Sequence, residues 1–382
     1  TSRFPFPLEK GDKLRAYYQI KELSKHFDLK LIALSDQPVS EDSKKELEKF
    51  CSEIHIFNLS KASYLFNAAL HFIQGRSFQV GYFYNHKWIK EASRLLKHWK
   101  PVHIYTQLVR CTEYTKHYHD CPKTLDYMDA LATGIERRGD KSSFFLKKIF
   151  NLEANRLRDY ERRIFEYYDY KTIISDQDKS LIKHPKQQQI FSIPNGIDHS
   201  FLEYPGAMSQ TFDIGFIGNM NYAPNVDAVL YVENKFLKKH PQITFLIAGA
   251  NPQEKVLDLG KKNNITVAGW IDDIRTAYAD MKLFVAPMQI GTGMQNKLLE
   301  AMAMSIPCIT TSLANNAIGG VHKESIWVIE TEKELEEAIL HLLAHPNEAR
   351  KIGQNAKEWV AKTYSWEKST ETLLELMHDG SI

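Results

Sequence analysis

One stretch, Met288–Thr311 (MQIGTGMQNKLLEAMAMSIPCITT), holds the residues best suited to chemistry. It follows the apolar run Leu283–Ala286, so Gly291-Thr292-Gly293 falls in a strand-to-helix loop, with the helix starting near Gln295. Two glycines let the backbone approach a ligand closely, and a helix N-terminus offers unpaired N–H groups to an anion. Lys297 and Glu300 are three residues apart and project from one face of that helix. An ammonium with backbone amides suits the phosphates of a nucleoside diphosphate, and a carboxylate suits the ribose hydroxyls. A plain Lys–Glu surface pair beside a glycine loop has the same spacing.

A second loop, Gly218-Asn219-Met220-Asn221-Tyr222-Ala223-Pro224-Asn225, follows the strand-like FDIGFI. Strand, glycine and a proline near a helix start again place a helix N-terminus at a sheet edge. The loop is neither GxGxxG nor a P-loop, which disfavours a nicotinamide cofactor.

These loops need a scaffold that presents them together. Over 212–329 six short apolar runs each precede a helix-length stretch, the pattern of a parallel, doubly wound sheet. The first half repeats the alternation more loosely, with helices expected near 13–26, 41–50, 61–74, 86–99, 111–119 and 144–168. Ile193-Pro194-Asn195-Gly196-Ile197-Asp198 reads as a sharp turn between the halves. The predicted fold class is therefore α/β, with two Rossmann-like doubly wound domains facing a cleft that takes the ligand. The domains are expected at 1–194 and 195–360, with a C-terminal helix, 361–382, crossing back to the first. The abrupt loop-like start at Thr1 leads to the further expectation that a first strand is missing.

The 382 residues carry 49 Lys+Arg against 47 Asp+Glu, so the overall charge of +2 gives no reason to expect nucleic acid as a partner. Four scattered cysteines without a CxxC pair are too sparse for a disulfide framework and favour a reducing cytoplasm. No apolar run approaches the roughly 18–20 residues that span a bilayer.

Taken together, the motifs resemble a known family. GTGMQNKLLEAMAMSIPCITT is similar to the donor-site signature of family 4 glycosyltransferases (glycosyl transferases group 1) of the GT-B fold, whose usual pattern is E-x7-E. FIGNMNYAPNVDA, VAGWIDDIR, IPNGID and the YSW of Tyr364–Trp366 are similar too. FPFPLEKGDKLR resembles the loop after the first strand in the exopolysaccharide-type subgroup. The resemblance implies metal-independent transfer of a sugar from a nucleotide-sugar donor, with retention, to a glycan or lipid-linked acceptor in surface polysaccharide synthesis. The nucleotide-sugar is then a substrate, and no cofactor is implied. By position, Glu300 binds the donor ribose, while Lys297 and Gly291, Thr292 and Gly293 hold the diphosphate and sugar. Gly218 and Asn219 admit the phosphate side, Trp270, Ile271 and Asp272 contact the base, and Gly11 faces the cleft from the other domain. Thr292 stands where the first Glu of E-x7-E is usual, and Asn219 and Ala223-Pro224 where Arg and Lys are common. Lys297 thus becomes the main cation for the leaving diphosphate. Two other readings stay open: a non-catalytic nucleotide-sugar-binding protein, and a sugar-nucleotide epimerase.

Asp126 and Asp129 lie in the strand-like TLDYMDA, where a carboxylate either orients an acceptor hydroxyl or caps a helix. His117 and His119 are two apart, on different faces of a helix, and Asp273 of Asp272-Asp273 is expected to cap a helix, so no metal site is assigned. Arg137, Arg138, Lys141, Lys147 and Lys148 interleave with Phe144, Phe145 and Phe150. Such a segment can dock an anionic membrane, but the expectation here is that the phenylalanines join the helix's core face.

Overall fold

Parallel strands alternate with helices throughout the computed structural model, which describes residues 1–140, 142–290 and 294–379. The chain divides into two compact units, Thr1–Pro194 with Trp366–Ile382, and Asn195–Ser365.

The first unit carries β1 (Lys30–Ser35) beside β2 (Glu53–Asn58) in one parallel pair. Its other sheet has four strands in the order β3 (Ile104–Gln107), β4 (Lys123–Asp126), β5 (Tyr170–Ile173) and β6 (Ile190–Ser192), also parallel. The segment expected as a helix at 111–119 is instead a tight 3-10 turn over Val109–Tyr114. Helix 366–379 belongs here because Trp366 stacks on Tyr18 at 4.9 Å and Leu373 and Leu376 pack on Ile193. The returning segment was expected from 361, but the helix Pro346–Thr363 runs through that point and stays with the second unit.

The second unit has the strand order β12-β11-β10-β7-β8-β9, all parallel. Here β7 is Phe212–Ile217, β8 Phe245–Ala248, β9 Ile265–Gly269, β10 Met281–Ala286, β11 Cys308–Thr311 and β12 Trp327–Ile329. β7, β8, β10 and β11 are buried along most of their length, as strands covered by helices on both faces must be. Strand order reverses between β7 and β10, and a crevice opens outside the carboxyl ends of strands at such a point.

Two expectations fail in the first unit. Asp126 is fully buried, paired with an equally buried Arg15 through Nε at 2.7 Å and Nη2 at 3.1 Å, and it accepts a hydrogen bond from Thr172 Oγ1 at 3.0 Å. It ties helix Gly11–Leu23 to β4, and no acceptor hydroxyl reaches it. The helix Phe144–Ile164 buries Leu157 and Ile164, but Phe144 and Phe145 stay 67% and 78% exposed. Only its second half lies on the core, together with Phe150, so the apolar stripe of the first half is left uncovered.

Candidate active site

The β7 loop and the β10 loop flank the reversal of strand order, and their side chains meet there. Gly218 continues β7, its N–H donating to the Ala248 carbonyl at 3.0 Å. A Cβ on Gly249 would stand 2.0 Å from the Gly218 carbonyl oxygen, and Gly249 adopts φ +131°, so both conditions demand glycine. A Cβ on Gly218 would meet Asn225 Nδ2 at 2.5 Å. Asn219 shapes the loop: its Oδ1 accepts from the Asn221 N–H at 2.9 Å, and its carbonyl from Asn225 Nδ2 at 3.0 Å. Pro224 then opens the helix Ala223–Val232, where it costs no intrahelical bond.

Lys297 lies in the first turn of helix Asn296–Ala303. Its Nζ donates to Asn225 Oδ1 at 2.8 Å and to Gln295 Oε1 at 2.9 Å, and lies 5.4 Å from the centre of the Phe216 ring. Glu300 accepts from Tyr278 Oη at 2.7 Å, and the same hydroxyl lies 3.1 Å from the Lys297 carbonyl. The alternative of a surface Lys–Glu pair therefore fails. Each charge is anchored by neutral partners and keeps capacity for a ligand.

Both side chains present some surface to solvent but are ringed by protein. Burial lowers the Lys297 ammonium to about 8, with Glu300 opposing the shift. Burial likewise raises the Glu300 carboxyl, against the Tyr278 hydrogen bond and Lys297, and Asp198 adds to the rise. Asp198 and Asn195 come from the turn between the units. Asn195, fully buried, donates Nδ2 to Asn296 Oδ1 at 3.0 Å and so holds the start of the Lys297 helix.

The other expected residues distribute as follows. Trp270 is 59% exposed after β9, with its Nε1 donating to Asp272 Oδ1 at 3.0 Å, and Ile271 is half-buried between them. Trp270 thus shares the carboxyl edge of the sheet with Gly218 and Lys297. Asp273 caps helix Ile274–Ala279. Gly291, Thr292 and Gly293, like Lys141, lie outside the described residues. Gly11 and Asp129 belong to the other unit, where Gly11 starts helix Gly11–Leu23 with Met128 Cε 3.4 Å from its would-be Cβ, and half-buried Asp129 precedes helix Leu131–Asp140. Among the described residues, no three His, Cys, Asp or Glu side chains gather as a metal site, and His117 packs edge-on against Tyr167.

Asn225, Tyr278, Asn195 and Asp198 were missed as site residues. Asn225 stood inside a stretch read for its glycine and proline. Tyr278 carries no local signal, being 22 residues from the carboxylate it holds.

Comparison with known proteins bears on this geometry. The chain is 23% identical over 95% of its length, and 95% of the relative's, to an uncharacterized 44.6 kDa protein in the cps region of Klebsiella pneumoniae. It is 24% identical to the capsular polysaccharide biosynthesis glycosyltransferase CapM of Staphylococcus aureus, over 45% of this chain and 49% of CapM. Its fold matches the crystal structure of Anabaena HepE in complex with UDP-glucose, with a TM-score of 0.67 and 13% identity over 97% of each chain. The architecture is that of the GT-B glycosyltransferases. Residues 211–345, which contain β7 through β12 with Lys297 and Glu300, match the glycosyl transferases group 1 family.

Proposed function

We propose that the protein moves a sugar from a nucleotide-sugar donor to a hydroxyl of a glycan or lipid-linked acceptor in surface polysaccharide synthesis, as a member of glycosyltransferase family 4 and its exopolysaccharide-type subgroup. The observation that carries this reading is the placement of Lys297 and Glu300 at the reversal of strand order, each held by a neutral partner. Relatives from a cps region and from capsular polysaccharide biosynthesis support the pathway class, and the HepE complex with UDP-glucose supports a nucleotide-sugar donor.

Glu300 accepts the ribose hydroxyls, and Lys297 faces the diphosphate. Gly218 and Asn219 let backbone approach the phosphates, and Trp270, Ile271 and Asp272 border the base. The sugar C1–O bond breaks toward an oxocarbenium-like state while charge grows on the departing phosphate, where Lys297 and fixed N–H dipoles stabilise it. The acceptor oxygen bonds to C1 on the face the phosphate leaves, giving retention, and its proton passes to the departing phosphate oxygen. Lys297 supplies the cation for the leaving group, so the reaction proceeds without a metal or cofactor. Asp129 orients the acceptor hydroxyl.

A thermal-shift panel of UDP-, GDP-, ADP- and dTDP-sugars tests the donor. One nucleotide class is expected to raise the melting temperature by several degrees, because a ligand of the native state stabilises it by mass action. That donor should then yield a glycoside of unchanged anomeric configuration by NMR. No response to any donor would overturn the reading. A shift without transfer or hydrolysis would favour the non-catalytic alternative, and an isomerised free nucleotide-sugar the epimerase.

The enzyme works in the cytoplasm at an anionic bilayer that carries the acceptor. Phe144, Phe145, Ile149 and Leu152 on helix Phe144–Ile164 are exposed, as are Phe66, Leu70 and Ile73 on helix Lys61–Ile73. The two helices meet where the Arg156 guanidinium lies 4.4 Å from the Phe72 ring centre and donates to the Phe72 carbonyl at 2.7 Å. Segments 61–79 and 131–158 carry nine Lys and Arg against three Asp and Glu, in a chain that is nearly neutral as a whole. Among the described residues no helix is long and apolar enough to cross a membrane, so contact of this kind is interfacial. Wild-type protein is expected to co-float with vesicles containing anionic phosphatidylglycerol. F144S/F145S should reduce that partitioning about tenfold or more without lowering the melting temperature, since both rings are already exposed. Equal flotation of the variant would remove this surface from the mechanism.

A further inference from the structure

Arg110 follows β3 in the turn Val109–Tyr114, at the carboxyl edge of the first unit's sheet. Its guanidinium is packed against protein, 5.4 Å from the centre of the Phe83 ring. The Nε–H is fully buried without an acceptor, and no hydrogen bond or ion pair to the rest of the side chain is found among the described residues. A guanidinium has five N–H donors and no neutral form in proteins, so a buried donor left without an acceptor is costly.

The surroundings do not supply the missing partner. Asp12, which attracts Arg110 electrostatically, is engaged by Arg3, and its backbone carbonyl accepts from Gln107 Nε2 at 2.9 Å. Burial, and after it the like charge of Arg3, holds Arg110 below the ordinary guanidinium range, against the pull of Asp12 and Asp129. Lys10 stands at the start of helix Gly11–Leu23, whose first turn has no side-chain cap. Arg3, Lys10 and Arg110 therefore gather around Asp12 at a helix start without a side-chain cap, with Asp36, Glu9 and Asp129 also in electrostatic range of one or another of them. The chain on either side is strained, with Leu108 at φ +68° and Met128 at φ +66°, in the left-handed region that non-glycine residues avoid. Strain of this kind is retained where a site needs its side chains held in place.

We propose that Arg110, with Lys10 and Arg3, receives a phosphate group of the acceptor, making the acceptor a phosphorylated molecule rather than a neutral glycan. The inference rests on the glycosyltransferase reading and names the class of its second substrate. A phosphate fits the set because its oxygens accept from a guanidinium fork and from helix N–H groups together.

The test is calorimetric titration of inorganic pyrophosphate into full-length protein already saturated with the nucleoside diphosphate that the donor panel selects. Wild-type protein is expected to bind it, Arg110→Gln at least tenfold more weakly, and Arg110→Lys in between. Nucleoside diphosphate affinity should stay within twofold in both variants. The unliganded melting temperature of Arg110→Gln should be unchanged or higher, because an unpaired buried charge is removed, whereas a structural arginine would lower it. Failure of wild type to bind pyrophosphate, a large drop in the unliganded melting temperature, or failure of Arg110→Gln to fold would each overturn the proposal. Weakened nucleoside diphosphate binding in Arg110→Gln would assign the residue to the donor and overturn it equally. Failure of the donor site shows separately, as a wild type that no nucleotide stabilises.

Discussion

Glu300→Ala is expected to lower kcat/KM for sugar transfer by about 10²–10³. A carboxylate that accepts from two ribose hydroxyls contributes charge-assisted hydrogen bonds of about 1.5–3 kcal/mol each, and 3–4 kcal/mol is about that factor in rate. The fold should survive, because among the described residues the only side-chain hydrogen-bond partner lost is the Tyr278 hydroxyl, which still lies 3.1 Å from the Lys297 carbonyl. Glu300→Gln keeps one acceptor oxygen and should fall between alanine and wild type. Steady-state kinetics on the chosen donor, with a melting curve for each variant, separates lost binding from lost structure. Wild-type turnover in Glu300→Ala would dismantle the donor assignment.

The second large effect concerns Lys297 and carries a pH signature. Burial brings its ammonium down to about 8, so the cation proposed to face the leaving diphosphate is present below that pH and is lost as pH rises through it. Nucleoside diphosphate affinity should therefore fall between about pH 7 and 9, and Lys297→Met should lower kcat by about 10²–10³ and flatten that profile. Stability runs the other way. The unfolded chain keeps this proton up to the ordinary lysine value of 10.5, whereas the native state releases it near 8. Between those values the unfolded state binds more protons, so unliganded stability rises with pH across that window. Lys297→Met should abolish this rise. A ligand affinity independent of pH from 7 to 9 would show that the Lys297 charge is not used.

The placement of Lys297 and Glu300 on one helix was legible because its information is local. Glycine, proline and helix-forming runs lie within a few residues of Lys297 and Glu300, and a three-residue separation on a helix puts two side chains on one face whatever the rest of the chain does. The partners were not legible. Asn225 lies 72 residues from Lys297, and Tyr278 22 residues from Glu300. Only the β7–β10 adjacency brings the first pair together. The Phe144–Phe145 stripe misled for a related reason: spacing shows that one face is apolar, but not whether anything covers it.

From the amino-acid sequence alone follow the α/β alternation, a turn near Pro194, and a lysine and a carboxylate behind a glycine loop, since each depends on interactions between near neighbours in the chain. Strand order, the burial of Asp126 against Arg15, the exposure of Phe144 and the want of an acceptor for Arg110 Nε among the described residues were decided by the tertiary structure. Burial sets the cost of a charge and the worth of an apolar surface, and it exists only once distant segments have packed together.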